Sequence, residues 1–100
     1  MFVVIYRWRL KPDFEDQFGR DWRDATIEAR EKYGSGGSSL FRAEDGTYVA
    51  IARWPDRESR ERFFARRDRT PALSERMAAA IEETFPALEL ETVHDLWAPI

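Results

Sequence analysis

One histidine, three tyrosines and four tryptophans are the side chains of this 100-residue sequence that invite chemistry, and no cysteine accompanies them. The lack of cysteine excludes a thiolate nucleophile, a disulfide framework, an iron–sulfur cluster and a structural zinc site. A single histidine adds little toward any other metal site. That residue, His94, carries an imidazole that titrates where a general base is useful, although a lone histidine serves as readily as a hydrogen-bonded structural group. Asp95 cannot orient it, because strand alternation sends adjacent side chains to opposite faces. The other candidates are aromatic. Tyr6, Trp8, Trp22, Tyr48, Trp54 and Phe63 could wall a cavity in which a flat ligand stacks, or could simply fill a small core, as aromatics commonly do.

The elements that must position these residues are legible from periodicity. Residues 2–10 alternate, with Phe2, Val4, Tyr6, Trp8 and Leu10 on one face and Val3, Ile5, Arg7 and Arg9 on the other, which predicts a strand. Lys11-Pro12-Asp13 breaks it. From about Asp13 to Lys32 the period becomes helical, with Phe14, Phe18, Trp22, Ala25, Ala29 and Tyr33 forming one stripe. Gly34 is placed to close that helix in a left-handed conformation. Leu40–Glu44 and Thr47–Trp54 read as strands about Asp45-Gly46, a dipeptide suited to a two-residue type I′ turn that would pair Phe41 with Ala50 and Leu40 with Ile51. Asp56 is a helix cap for Arg57 to Asp68, and Thr70-Pro71 restarts a helix carrying Leu73, Met77, Ala80 and Ile81, closed by Pro86. Residues 88–97 alternate again as the last strand.

The order predicts an α+β, ferredoxin-like βαββαβ domain spanning residues 1–100, an antiparallel four-stranded sheet with helices on one face. The first and last strands are then neighbours. The pairing that places Arg7 opposite Glu91, Arg9 opposite Glu89, Ile5 opposite Val93 and Val4 opposite His94 satisfies both patterns. It points His94 at the helices, near Tyr6. The other face would still carry Val3, Ile5, Leu40, Val49, Ile51, Val93 and Trp97, an apolar extent unusual for a monomer. A homodimer packed sheet to sheet is expected to bury it.

A net charge of −3 supplies no basic field for nucleic acid or an anionic membrane. The arginines between Arg57 and Arg69 alternate with acids, as on a solvated helix face. Phosphate-cradling glycine loops follow a strand and open a helix, whereas Gly34–Gly37 do the reverse. No apolar run reaches a membrane span and the N-terminus lacks a signal-peptide pattern, so a soluble cytoplasmic protein is expected.

Tyr6-Arg7-Trp8-Arg9-Leu10-Lys11-Pro12, Gly34 to Phe41, Glu44 to Ala50 and Arg53-Trp54-Pro55 together resemble the antibiotic biosynthesis monooxygenase domain family, across essentially the whole chain. The resemblance implies a dimeric α+β barrel. It also implies a choice of activities, among them oxygenases that use neither metal nor flavin to oxidise phenolic polyketides to quinones. Such a reaction needs the substrate phenol to lose a proton, so that the anion can pass an electron to oxygen. His94 and Tyr6 are then the candidate catalytic groups, with Trp8, Trp22, Tyr48, Trp54 and Phe63 binding the substrate and no cofactor. Haem-degrading relatives use an asparagine, a tryptophan and a histidine where this chain holds Tyr6, Phe63 and a position near Leu73, so the resemblance argues against haem degradation. A non-catalytic homodimeric module binding a small apolar molecule is the alternative.

Overall fold

A computed structural model describes residues 1–66 and 71–100. The alternating N-terminal segment forms β1, Phe2–Leu10, whose pleat buries Phe2, Val4 and Leu10 on one face. Asp13 turns the chain with φ of 71°, a left-handed value that aspartate tolerates better than most residues. Helix α1, Glu15–Tyr33, lays Phe18 and Ala29 on the sheet and ends at Gly34, whose φ is 73°. Strands β2, Gly37–Arg42, and β3, Tyr48–Trp54, form a hairpin. Helix α2, Arg57–Phe64, starts where the Asp56 side chain accepts the Ser59 N–H at 2.7 Å. Helix α3, Pro71–Ala80, strand β4, Ile81–Thr84, and strand β5, Leu88–Glu91, complete the described chain. The expected cap Thr70 and the expected helical end at Asp68 lie outside the described residues.

The fold is α+β and ferredoxin-like. The antiparallel sheet has the order β2-β3-β1-β4, and β5 also pairs with β1. Five strands thus occupy four positions, because β4 and β5 lie end to end along one edge of β1. Side chains from all three helices, among them Ala29, Phe63 and Ala80, pack on the face that carries Phe2, Val4 and Leu10. Among the described residues no helix is long and apolar enough to cross a membrane.

The last strand departs most from expectation. The helix expected to run to Pro86 stops at Ala80, and Ile81 begins a strand. Pairing with β1 overrides the helical propensity of the alanine- and glutamate-rich segment. Val4 consequently faces Glu89 rather than His94, and Ile5 faces Leu88 rather than Val93. An odd offset of five residues exchanges the two faces of a strand. Leu88 and Leu90 therefore join Val3 and Ile5, while Glu89 and Glu91 join Val4 and Phe2. The expected Arg–Glu ladder survives only in kind: Arg9 pairs with Glu83 across the strands, with 3.7 Å between charged atoms.

The hairpin is shifted by one residue. Leu40 faces Ala50 and Phe41 faces Val49, because the loop is longer than a two-residue turn. Ala43 N–H donates to the Thr47 carbonyl at 2.8 Å and Gly46 N–H to the Ala43 carbonyl at 3.0 Å. Only Gly46 of the turn takes positive φ, 86°, which is a three-residue loop with a glycine bulge, not type I′. The shift moves Leu40 to the helix side and leaves Phe41 about half exposed on the other face. Asp45 locks this loop. Its carboxylate accepts the Thr47 N–H and hydroxyl at 3.0 and 2.7 Å and pairs with the Arg7 guanidinium at 2.6 Å. The two Thr47 bonds and then Arg7 hold the Asp45 carboxyl down at about 2.

The helix-side core consists of two clusters rather than one. The first joins Phe2, Val4, Ala29, Ala52, Trp54 and Phe63, with Tyr6 and Tyr33 against it. The second joins Leu10, Phe18 and Ala80, with Trp8, Trp22, Leu40, Tyr48, Met77 and Ile81 against it. A buried carboxylate ties the second cluster's helices together, as Asp21 of α1 receives Arg76 of α3 through two hydrogen bonds of 3.2 and 3.3 Å.

Candidate functional site

Between the two clusters lies a cavity of about 430 Å³, within the range that holds a small organic ligand. The sheet supplies its floor: Tyr6 and Trp8 from β1, Ser38 from β2, and Ala52 and Trp54 from β3. All five sit on the helix-facing side of the sheet by register. Helix α1 contributes Trp22, Ala25, Thr26 and Ala29, while Phe63, Phe64, Ser74, Met77 and Ile81 wall the opposite side. The small side chains Ala25, Ala29 and Ala52 stand where larger ones would fill the space. Aromatic packing keeps the walls rigid. Tyr6 and Trp8 stack with ring centroids 5.8 Å apart and planes 5° from parallel, and Trp8 meets Phe18 edge-on at 5.1 Å.

Of the residues expected at the site, the structure brings Tyr6, Trp8, Trp22, Trp54 and Phe63 to this cavity. Tyr48 is not among them, because it packs beside Leu10 and Phe18 in the second cluster. His94 is also elsewhere. The strand that should have carried it ends at Glu91, so His94 lies on the exposed C-terminal segment, beside Met1, Val3, Arg53 and Trp97. The five-residue register offset is the physical reason: it uses up the pairing length of β1 before His94 is reached.

Arg57 and Arg60, expected on a solvated helix face, and Glu89, expected opposite Arg9, surround the Tyr6 end instead. Arg60 Nε donates to the Tyr6 hydroxyl oxygen at 2.9 Å, and its guanidinium also reaches Glu89 at 3.0 Å. Arg57 pairs with the other Glu89 oxygen at 2.7 Å and covers the Phe2 ring at 4.6 Å. Hydrogen bonding from Arg57, then the charges of Arg57 and Arg60, depress the Glu89 carboxyl, which keeps it anionic. The face-reversing register is what brings Glu89 to these arginines, so no helical charge pattern could have revealed the link. Arg62 donates to Ser59 Oγ at 3.1 Å.

Burial raises the Tyr6 phenol above its ordinary value of 10.0, opposed by the Arg60 hydrogen bond and charge. Tyr6 is therefore protonated at neutral pH. Because Arg60 already donates to its oxygen, the hydroxyl hydrogen is available to donate in turn. Tyr6 is built as a hydrogen-bond donor, not as a base. No carboxylate or imidazole appears among the described residues lining the cavity, and none of the described residues forms a group of three or more metal-ligating side chains.

No family model and no curated protein sequence matches the chain. Solved structures do match it. One described as an antibiotic biosynthesis monooxygenase is 23% identical, covers 94% of this chain and 100% of its own, and superposes with a TM-score of 0.76. SnoaB, a cofactor-independent oxygenase from Streptomyces nogalater, is 16% identical over 95% of both chains with a TM-score of 0.79. Rv0793 from Mycobacterium tuberculosis is 15% identical, covering 94% of this chain and 96% of its own, with a TM-score of 0.75. The chain thus has the fold of the antibiotic biosynthesis monooxygenases, and activity must be argued from the site, since one fold hosts many functions.

Proposed function

We propose that the protein is a cofactor-independent monooxygenase acting on a small phenolic or polyketide-like aromatic. The observation that carries this reading is an aromatic-walled cavity with a protonated, arginine-held tyrosine at its edge. The fold shared with SnoaB, an oxygenase described as cofactor-independent, supports it.

In the proposed reaction the substrate is its own reductant. Loss of the phenol proton makes an electron-rich anion, which passes one electron to dioxygen. The two radicals recombine at a ring carbon as a hydroperoxide, and loss of water leaves a carbonyl. A ring methylene plus dioxygen thereby becomes a carbonyl plus water, all four electrons coming from the substrate. The protein contributes an apolar site that orients the ring and a Tyr6 hydroxyl that donates to the phenolate oxygen. With no carboxylate or imidazole among the described lining residues to take it, the substrate proton leaves to solvent, and the rate follows ionisation of the substrate. This replaces His94 as the proposed base.

Two copies are proposed to pair through the open sheet face. Val3, Ile5, Val49, Ile51, Phe41, Leu88 and Leu90 lie there by register, and Phe41, Leu88 and Leu90 are 49%, 58% and 40% exposed. Burying such a face against its own copy removes it from water on both partners.

The test is oxygen uptake with a panel of hydroxylated anthracyclic and naphthoic substrates, comparing the wild type with Tyr6→Phe and His94→Ala. Uptake lost in Tyr6→Phe and kept in His94→Ala is expected. Binding without uptake across the panel would favour the alternative, a non-catalytic binding module, which the lack of a lining base also suits.

A further inference from the structure

Three buried polar atoms have no hydrogen-bond partner among the described residues: Trp54 Nε1, Ser38 Oγ and Arg66 Nε. All three residues line the cavity. Trp54 is only 3% exposed, and a buried indole N–H ordinarily finds an acceptor. Ser38 faces Ala52 across the β2–β3 ladder, so Ser38 and Trp54 are diagonal neighbours on the cavity floor. Ser35 Oγ donates to the Arg53 carbonyl and accepts the Gly37 N–H. Arg66 donates through a terminal nitrogen to the Phe63 carbonyl at 2.7 Å and stacks on the Phe63 ring at 3.8 Å, while its Nε, 3.4 Å from Glu28, makes an ion pair without a hydrogen bond.

We infer that Trp54 and Ser38 form a specificity subsite that accepts a carbonyl oxygen of a flat, fused-ring ligand. An indole N–H and a hydroxyl left without partners at diagonal positions of the cavity floor call for an acceptor. The one cation at this end is balanced by Glu28, so the subsite offers a neutral carbonyl its bonds without the net positive charge a carboxylate would require. Register also speaks to ligand size. Tyr6 faces Ala50, four residues from Trp54, which is about 13 Å along the strand at ~3.3 Å per residue. A ligand that reaches both ends is a polycycle rather than a single ring. This inference rests on the proposed oxygenase reading for its ligand class and adds how that ligand is oriented: oxygen-bearing end on Trp54 and Ser38, reacting phenol toward Tyr6.

The test is equilibrium dialysis of the full-length protein with 9,10-anthraquinone and with anthracene, which has the same skeleton without the oxygens. The wild type should bind the quinone at least tenfold more tightly. Ser38→Ala and Trp54→Phe should each lower the preference for quinone over anthracene by about three- to tenfold, the span of one ordinary hydrogen bond. Because Ser38→Ala deletes only a hydroxyl that the fold leaves unsatisfied, that variant should not melt below the wild type. Equal wild-type affinity for the two probes, or absence of binding, overturns the subsite, as does an unchanged preference for the quinone in both variants. Dialysis involves no turnover, so a retained quinone preference alongside absent oxygen uptake would sink the oxygenase reading and leave the subsite standing.

Discussion

Filling the cavity from its floor should stabilise the protein and abolish what it does. Ala52 is the position to use. It lies on β3 between Val4 and Ser38, is 8% exposed, and lines the cavity, so a larger side chain can project from the edge of the first core cluster into existing space. Ala52→Leu adds three carbon atoms, worth about 2.4 kcal/mol at ~0.8 kcal/mol per buried methylene. Leucine surrenders about 0.5–1 kcal/mol of rotamer freedom, leaving a gain of about 1.5 kcal/mol. For a domain of this size that corresponds to a rise of about 6–12 °C in Tm. The assay is thermal unfolding at one fixed protein concentration, paired with dialysis against anthraquinone. The expected result is higher Tm with binding reduced at least tenfold, the stability–function trade expected of an open site. A variant destabilised by more than about 1 kcal/mol would mean that Ala52 faces packed atoms, and unaltered quinone binding would mean that ligands sit elsewhere; either outcome refutes the reasoning.

Four further outcomes are expected. Tyr6→Phe should lower kcat by roughly 10²-fold with little change in KM, as loss of an oxyanion donor does; Arg60→Met should raise the Tyr6 phenol further, seen as a later tyrosinate absorbance step. Asp45 titrates near 3.8 when unfolded and near 2 when folded, so its contribution to stability is complete above about pH 4 and disappears as pH falls toward 2. Asp45→Asn should flatten that part of the acid-unfolding profile, and an identical profile would show that the loop lock contributes nothing. A charge on the open sheet face, as in Leu88→Lys or Ile51→Glu, should convert a sedimenting dimer to monomer at micromolar concentration, and a wild-type monomer would end the pairing proposal.

The parts of the fold legible in the sequence were those whose signals are local. Alternation located β1, the aromatic spacing located α1, and Gly34 and Asp56 mark helix ends that the structure confirms. The passage from Ala80 to Ile81 has no proline or glycine to announce it, and its alanines and glutamates favour a helix; only the open edge of β1 makes Ile81–Thr84 a strand. That single long-range choice displaced His94, reversed the faces of Leu88 to Glu91, and brought Glu89 to Arg57 and Arg60. The aromatic lining was mostly foreseeable, because Tyr6, Trp8, Trp22 and Trp54 each follow from the periodicity of one element. The link from Arg60 to Tyr6 was not, since it spans 54 residues of chain and depends on where α2 lands. Trp54 was foreseen as a cavity wall, whereas Ser38 precedes the strand expected from Leu40 and joins β2 only in the folded protein; the missing hydrogen-bond partners of both emerge only there.

The most direct measurement is the fate of oxygen itself. The protein, dialysed against chelator, is incubated under ¹⁸O₂ with a hydroxylated anthrone, and the product is analysed by mass spectrometry before solvent exchange. A quinone carrying a single labelled oxygen, formed at one per dioxygen consumed and suppressed in Tyr6→Phe, is the expected result. Formation of unlabelled quinone, or a rate no greater than that of the substrate alone, would contradict the oxygenase reading.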